Sequence, residues 1–128
     1  MAFRPNDAAR AMPDVVGAAR EGLVYQHLAA WCSTTRDATL STWRTTSGVE
    51  VDFVVDSPEG LLAVEVKAGS TLRPADRRGL LAFQAEFPDA TLVALTDGPL
   101  RSRRGPILEE PLGGFLKRVV PGQPLVGA

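Results

Sequence analysis

The sequence predicts an α/β fold in which helices flank a mixed central sheet. Residues 39–67 contain three short runs rich in β-branched residues, and turn sequences join them. Helical periodicity before and after this region predicts a helix on each side. The run 90–95 (ATLVAL) is apolar throughout, which is typical of an interior strand. The expected order of the core elements is therefore α-β-β-β-α-β.

The bulk composition is that of one soluble domain. The chain has 128 residues, 45% of them hydrophobic and 23% charged. It contains neither an apolar run long enough to span a membrane nor the apolar core of a signal peptide, so we expect a cytoplasmic protein without membrane contact. The single Cys32 excludes an internal disulfide and a cysteine zinc site. A net charge of −1 argues against binding nucleic acid by bulk charge alone.

A helix is predicted from Asp14, a plausible N-cap, to about Trp31. Residues 1–13 hold two prolines and few apolar anchors, and we expect a flexible lead-in there. At about 100° per residue, five apolar side chains share one face: Val16, Leu23, Val24, Leu28 and Trp31. Glu21 lies at the border of that face.

Three strands are predicted at 39–45, 49–56 and 61–67. Because the links between them are short, neighbouring strands should run antiparallel, as a meander. Alternation places four residues of the second strand on one face: Glu50, Asp52, Val54 and Asp56. It places four of the third strand on one face: Leu61, Ala63, Glu65 and Lys67.

The second half of the chain predicts a parallel crossover. Pro74 suits the first turn of a helix that runs to about Phe87, and the strand at 90–95 follows it. Residues 96–106 are expected to form an exposed loop, and 107–120 a short strand and a helical turn. The Pro/Gly-rich tail at 121–128 is expected to fray, which leaves one domain over residues 14–120.

Charged residues occur inside the two most apolar predicted strands. Asp52 lies within the run 49–55, and Glu65 and Lys67 lie near the end of the next strand. Burying an ionised group in a protein interior costs on the order of several kcal/mol unless the group is paired or binds a metal. Two carboxylates brought close repel each other unless a cation lies between them. Carboxylate oxygens suit Mg²⁺, and the carbonyl of Val66 could add a ligand. Lys67 could stabilise a phosphate or position water, and Glu21 could reach the same ion.

These residues carry a family resemblance. Asp52 followed by Glu65-Val66-Lys67, with a helical Glu21 upstream, resembles the PD-(D/E)XK nuclease superfamily. A longer set of motifs over roughly residues 15–100 is similar to the uncharacterised nuclease-like domain found C-terminal to the ATPase in many prokaryotic AAA-type proteins. The set comprises GxxxExxV at 17–24, WRT at 43–45, GVEVDFV at 48–54, VEVK at 64–67 and DxxGLxxF at 76–83.

The resemblance implies a restriction-endonuclease-like fold and Mg²⁺- or Mn²⁺-dependent hydrolysis of DNA phosphodiester bonds. It implies Glu21, Asp52 and Glu65 as metal ligands and Lys67 as the catalytic lysine. Proteins of such families can keep the fold without cleaving anything. The alternative is therefore an inactive nuclease-fold module that binds or regulates within an AAA-type ATPase system. ATP binding is not carried over, because the chain has no G-x-x-x-x-G-K-[ST] motif. The resemblance is also compatible with a homodimer and with an ATPase partner.

Simpler structural roles compete with these assignments. Glu65 and Lys67 could form a buried ion pair, with Asp52 at a solvated strand end. We expect His27 to be a core histidine, and Trp43 to pack on the sheet. Three further expectations are that Glu50 and Asp56 are solvent-exposed and that Cys32 is a small buried hydrophobic residue.

Seven arginines are candidates for contacts with nucleic-acid phosphates, although a solvated basic face explains them equally well. They are Arg44, Arg73, Arg77, Arg78, Arg101, Arg103 and Arg104.

Overall fold

The computed structural model describes residues 5–67, 69 and 72–125, with side chains from residue 17 onward. Within these residues the elements follow in the order α1 (Pro5–Ser33), β1 (Thr39–Arg44), β2 (Glu50–Ser57), β3 (Gly60–Val66), α2 (Pro74–Glu86), β4 (Thr91–Thr96), β5 (Ser102–Arg104), β6 (Ile107–Pro111) and α3 (Leu112–Arg118). No helix in this part of the chain is long and apolar enough to cross a membrane.

The strands form one mixed sheet in the order β1-β2-β3-β4-β6-β5. The first three strands are antiparallel neighbours, as the short links predict. β4 runs parallel to β3 after the α2 crossover, and β6 runs parallel to β4. The predicted α/β class, mixed sheet and core order are confirmed.

Each face of the sheet is covered by helix. One apolar cluster joins the sheet to α1 and α3: Val24, Leu28, Trp31, Phe53, Val55, Leu62, Val64, Val66, Val93, Leu95, Phe115, Val119 and Leu125. The other joins it to α2: Val51, Val54, Ala63, Leu72, Leu80, Phe83, Leu92, Ala94 and Ile107. The central strands are therefore buried on both sides, which explains why β3 and β4 are apolar on both faces.

The first helix begins at Pro5, nine residues before the predicted start at Asp14, so most of the expected lead-in is helical. The alanines in this stretch favour helix, and proline suits a first turn. Of the predicted apolar face, Val24, Leu28 and Trp31 are buried. Leu23 is 42% exposed, so its predicted burial is wrong. The side chain of Val16 lies outside the described residues.

The predicted loop at 96–106 contains a strand. β5 pairs antiparallel with β6 through a tight turn in which Gly105 has a φ of +58°. All three β5 side chains are exposed, so the segment lacks the alternation by which strands are recognised in sequence.

The predicted fraying of the tail also needs correction. Leu125 is 1% exposed and belongs to the α1-side cluster. The indole N–H of Trp31 donates to the Gln123 carbonyl at 2.8 Å, and the Leu125 N–H donates to the Glu59 carboxylate at 3.1 Å. One apolar side chain thus anchors residues 121–125, while 126–128 lie outside the described residues.

Candidate functional site

The register between β1 and β2 shifts by one residue next to Asp52. Ser41 faces Val54, whereas Trp43, two residues on, faces Val51. β2 therefore carries one extra residue between these pairs, which is a β-bulge, and Val51 and Val54 pack in the same cluster. The bulge breaks the alternation within β2 and redirects the Asp52 side chain. The predicted common face of Glu50, Asp52, Val54 and Asp56 is wrong for this reason.

Asp52 and Glu65 meet where the β2–β3 ladder ends. The last paired residues on this side are Phe53 and Val64. Beyond them each carboxylate accepts a hydrogen bond from the opposite backbone. The Asp52 N–H donates to Glu65 Oε1 at 3.1 Å, and the Val66 N–H donates to Asp52 Oδ2 at 2.9 Å. These hydrogen bonds to side chains take the place of the backbone hydrogen bonds of the ladder, and they bring the two carboxyl groups together.

The environment of Glu65 favours its protonated form. Burial raises the pKa of this carboxyl to about 8, and a hydrogen bond with the Asp52 carboxyl and the nearby Asp52 charge act in the same direction. The Lys67 ammonium and the Asp52 N–H oppose them. In the absence of a cation Glu65 therefore keeps its proton near neutral pH.

Lys67 lies between two carboxyl groups. Its Nζ is 3.7 Å from Glu65 Oε2 and 3.5 Å from Asp76 Oδ1. Asp76 is in the first turn of α2 and accepts the Arg73 backbone N–H at 3.0 Å. Glu65 and Lys67 share the α2 face of β3, as alternation predicts, because Ala63 two residues earlier packs in the α2-side cluster.

Glu21 approaches Asp52 from the other face of the sheet. Partial burial of the carboxyl and the negative charge of Asp52 raise the pKa of Glu21, while Lys67 opposes this and Glu50 adds to it. The preceding Arg20 forms an ion pair with Asp97 just beyond β4. That ion pair fixes the helix turn that carries Glu21 against the carboxyl end of the parallel strands.

Two small cavities flank the carboxylate pair. One of about 180 Å³ contains Glu21, Asp52 and Glu50 in its wall. The other, of about 230 Å³, lies between the turn after β1 and the start of α2, with Glu65 and Arg78 in its wall. Asp52 and the buried Glu65 therefore border different cavities.

The structure does not assemble the full predicted ligand set. Among residues with described side chains, no three His, Cys, Asp or Glu side chains are close enough to hold a metal ion. Asp52 and Glu65 are in contact, and Glu21 shares a cavity wall with Asp52. The ligand role of the Val66 carbonyl stays a prediction.

Four of the seven candidate arginines are ion-paired within the chain. Their partners are Glu50 for Arg44, Asp76 for Arg73, Glu110 for Arg101 and Glu109 for Arg104. Glu109 and Glu110 are buried, so the last two ion pairs neutralise buried carboxylates on β6. Within the described residues, Arg77, Arg78 and Arg103 form no ion pair, and Arg78 alone of these three lies in the wall of a cavity beside the carboxylate pair.

The simpler roles are partly confirmed. Trp43 packs edge-on against Phe83 with ring centroids 5.2 Å apart. Glu50 and Asp56 are exposed, and Cys32 is half-buried against the α1-side cluster. His27 is half-buried and donates from Nδ1 to the Leu23 carbonyl of its own helix at 2.8 Å, so it is less a core residue than predicted.

Two residues gain a role that spacing did not reveal. Asp76 contacts Lys67, and Gly79 brings α2 onto β2. A Cβ at Gly79 would overlap the Glu50 carbonyl oxygen and lie 3.7 Å from Glu65 Oε2. Both residues belong to the DxxGLxxF motif at 76–83, and this motif could have indicated that they lie near the candidate site.

A comparison with models of protein families shows to which family the chain belongs. The family model described as "Domain of unknown function (DUF4143)" matches residues 16–109, well over half of the sequence. The chain belongs to the DUF4143 family. The matched region of this DUF4143 domain includes Glu21, Asp52, Glu65 and Lys67. A search of curated proteins gives no match.

Proposed function

We propose that this DUF4143 domain is a Mg²⁺- or Mn²⁺-dependent nuclease of PD-(D/E)XK type that hydrolyses DNA phosphodiester bonds. The supporting observation is the contact between Asp52 and Glu65 at the end of the β2–β3 ladder, with Lys67 3.7 Å from Glu65. A buried Glu65 with a raised pKa beside the Asp52 carboxyl is the state expected of an acidic metal site without its cation.

The chemistry of these donors fits a hard divalent ion. Asp52 and Glu65 would hold it through carboxylate oxygens, and Glu21 would act from the α1 side through water. Such an ion, when bound, polarises a phosphate and lowers the pKa of a bound water. Two carboxylates leave positions for water and phosphate, which a phosphodiesterase needs.

Lys67 supplies a positive charge beside Glu65, on the α2 side of the Asp52–Glu65 pair. Its side chain is 28% exposed, so the ammonium is reachable from solvent while it remains beside Glu65. From there the ammonium can donate to a non-bridging phosphate oxygen and offset charge that develops during hydrolysis. Asp52, Glu65 and Lys67 therefore have complementary roles in one small site.

DNA cleavage by purified protein tests the proposal. We expect nicking of plasmid DNA that requires Mg²⁺ or Mn²⁺ and falls by about a hundredfold or more in Asp52→Asn and Lys67→Ala. Asp56→Asn is the matched control, since this exposed carboxylate lies on the same strand outside the site. Cleavage that is equal in Asp52→Asn and the wild type would come from a contaminant and would contradict the proposal.

The second candidate is a non-hydrolytic binding or regulatory module within an AAA-type ATPase system. It is favoured by the lack of a three-ligand group among the described side chains and by the backbone N–H groups that already occupy Glu65 Oε1 and Asp52 Oδ2. This candidate predicts no divalent-ion binding at millimolar concentrations and a folded, inert carboxylate pair. DNA affinity that falls steeply with salt is compatible with both candidates, so metal binding separates them.

A further inference from the structure

The ammonium of Lys67 has two carboxylate neighbours of different character. Glu65 lies 3.7 Å away and is a proposed metal ligand, so its charge serves the cation when one is bound. Asp76 lies 3.5 Å away on α2. Burial alone would raise the pKa of Asp76, but the Arg73 backbone N–H, Lys67 and the Arg73 side chain together lower it. Asp76 is therefore the permanent anion beside Lys67.

The two oxygens of Asp76 have separate partners. Oδ2 accepts the backbone N–H of Arg73 at 3.0 Å and caps the first turn of α2. Oδ1 faces the Lys67 ammonium. Pro74 begins this helix, and Gly79 one turn later packs on the Glu50 carbonyl. The oxygen that meets Lys67 thus belongs to a helix turn fixed at both ends.

We infer that Asp76 is a positioning residue that holds the Lys67 ammonium beside Glu65. The inference rests on the nuclease function proposed above, since it assigns Lys67 a task in that reaction. Without the Asp76 charge, the lysine side chain is free to turn away from Glu65, and fewer molecules have the ammonium in place when substrate binds. The catalytic step then slows, while metal and DNA binding change little.

The alternative role for Asp76 is capping alone, and one substitution separates the two. In Asp76→Asn the side-chain oxygen can still accept the Arg73 N–H, but the charge that faces Lys67 is gone. We expect kcat to fall about tenfold or more with KM and thermal stability close to wild type. Asp89→Asn, the same change just past the other end of α2, should leave kcat unaltered. Wild-type kcat in Asp76→Asn would overturn the inference.

A second readout does not depend on DNA cleavage. The chain has only two lysines, Lys67 and Lys117, so the exposed Lys117 is an internal reference. After brief treatment with a water-soluble amine-acylating reagent, peptide mass spectrometry gives the labelling rate of each lysine. Lys67 should label more slowly than Lys117 in the wild type, and several-fold faster in Asp76→Asn with Lys117 unchanged.

The two readouts distinguish the possible failures. A rise in Lys67 labelling in a protein that cuts no DNA would contradict the nuclease proposal and still support the placement of Lys67 by Asp76. An unchanged ratio of Lys67 to Lys117 labelling in Asp76→Asn would overturn that placement, whether or not the wild type cleaves DNA.

Discussion

The Glu65 carboxyl links the site to the stability of the whole domain. The unfolded chain releases this proton near the ordinary pKa of 4.5, whereas the folded protein keeps it to about pH 8. Between these values the folded state binds more protons, so the free energy of unfolding decreases as pH rises. Asp76 and Asp97 have lowered pKa values, so their opposite effect is confined to pH below their ordinary value of 3.8.

We therefore expect the melting temperature to fall by several degrees as pH rises from about 5.5 to about 8.5. Glu65→Gln removes the titrating group and should flatten the decline over this range. Circular dichroism melts at matched ionic strength measure the effect, and Glu86→Gln on exposed α2 surface is the control. Parallel curves for Glu65→Gln and the wild type would contradict the raised pKa.

Helix α2 depends on close contact between its backbone and β2. Gly79 is buried, and a Cβ there would overlap the Glu50 carbonyl oxygen. We expect Gly79→Ala to destabilise the domain by about 1–3 kcal/mol or more, because the helix must move off the sheet. Gly22→Ala in α1 has no heavy atom within 4 Å of its new Cβ and should instead stabilise by about 0.5–1 kcal/mol. Urea denaturation measures both, and equal effects of the two substitutions would contradict this packing.

Local sequence patterns predicted most elements of this fold because those patterns act over a few residues. Period-two runs and short turns located β1 to β3, and Pro74 located α2. The bulge beside Asp52 was not predictable, because it depends on how β1 pairs with β2. For the same reason the common face predicted for Glu50, Asp52, Val54 and Asp56 is wrong.

Contacts between distant segments of the chain determine which arginines are already ion-paired and which are free to meet a phosphate. Arg101 and Arg104 looked like equal candidates for phosphate contacts, but Glu110 and Glu109 on β6 neutralise them. The apolar patterns of neither segment reveal these pairs. Docking of Leu125 on the α1-side cluster was likewise hidden, because a single apolar residue in a Pro/Gly-rich tail carries no periodicity.

The arginine with the best placement for nucleic acid is Arg78. It is exposed, has no ion pair within the described residues and shares a cavity wall with Glu65. We expect Arg78→Ala to weaken binding of a DNA duplex and to reduce the salt dependence of that binding by about one counterion. Arg104→Ala, whose guanidinium is engaged by Glu109, should change the salt dependence less. Fluorescence anisotropy over a salt series compares them, and an unaltered slope for Arg78→Ala would exclude the contact.

The metal centre itself is tested most directly by calorimetric titration of Mn²⁺ and Mg²⁺ at pH 7 in two buffers of different ionisation enthalpy. Wild-type protein should bind one ion at millimolar or lower concentration and release about one proton, since Glu65 must lose its proton to act as a ligand. Asp52→Asn should abolish the binding. No binding by the wild type, or equal binding by Asp52→Asn, would contradict a metal site at the Asp52–Glu65 pair.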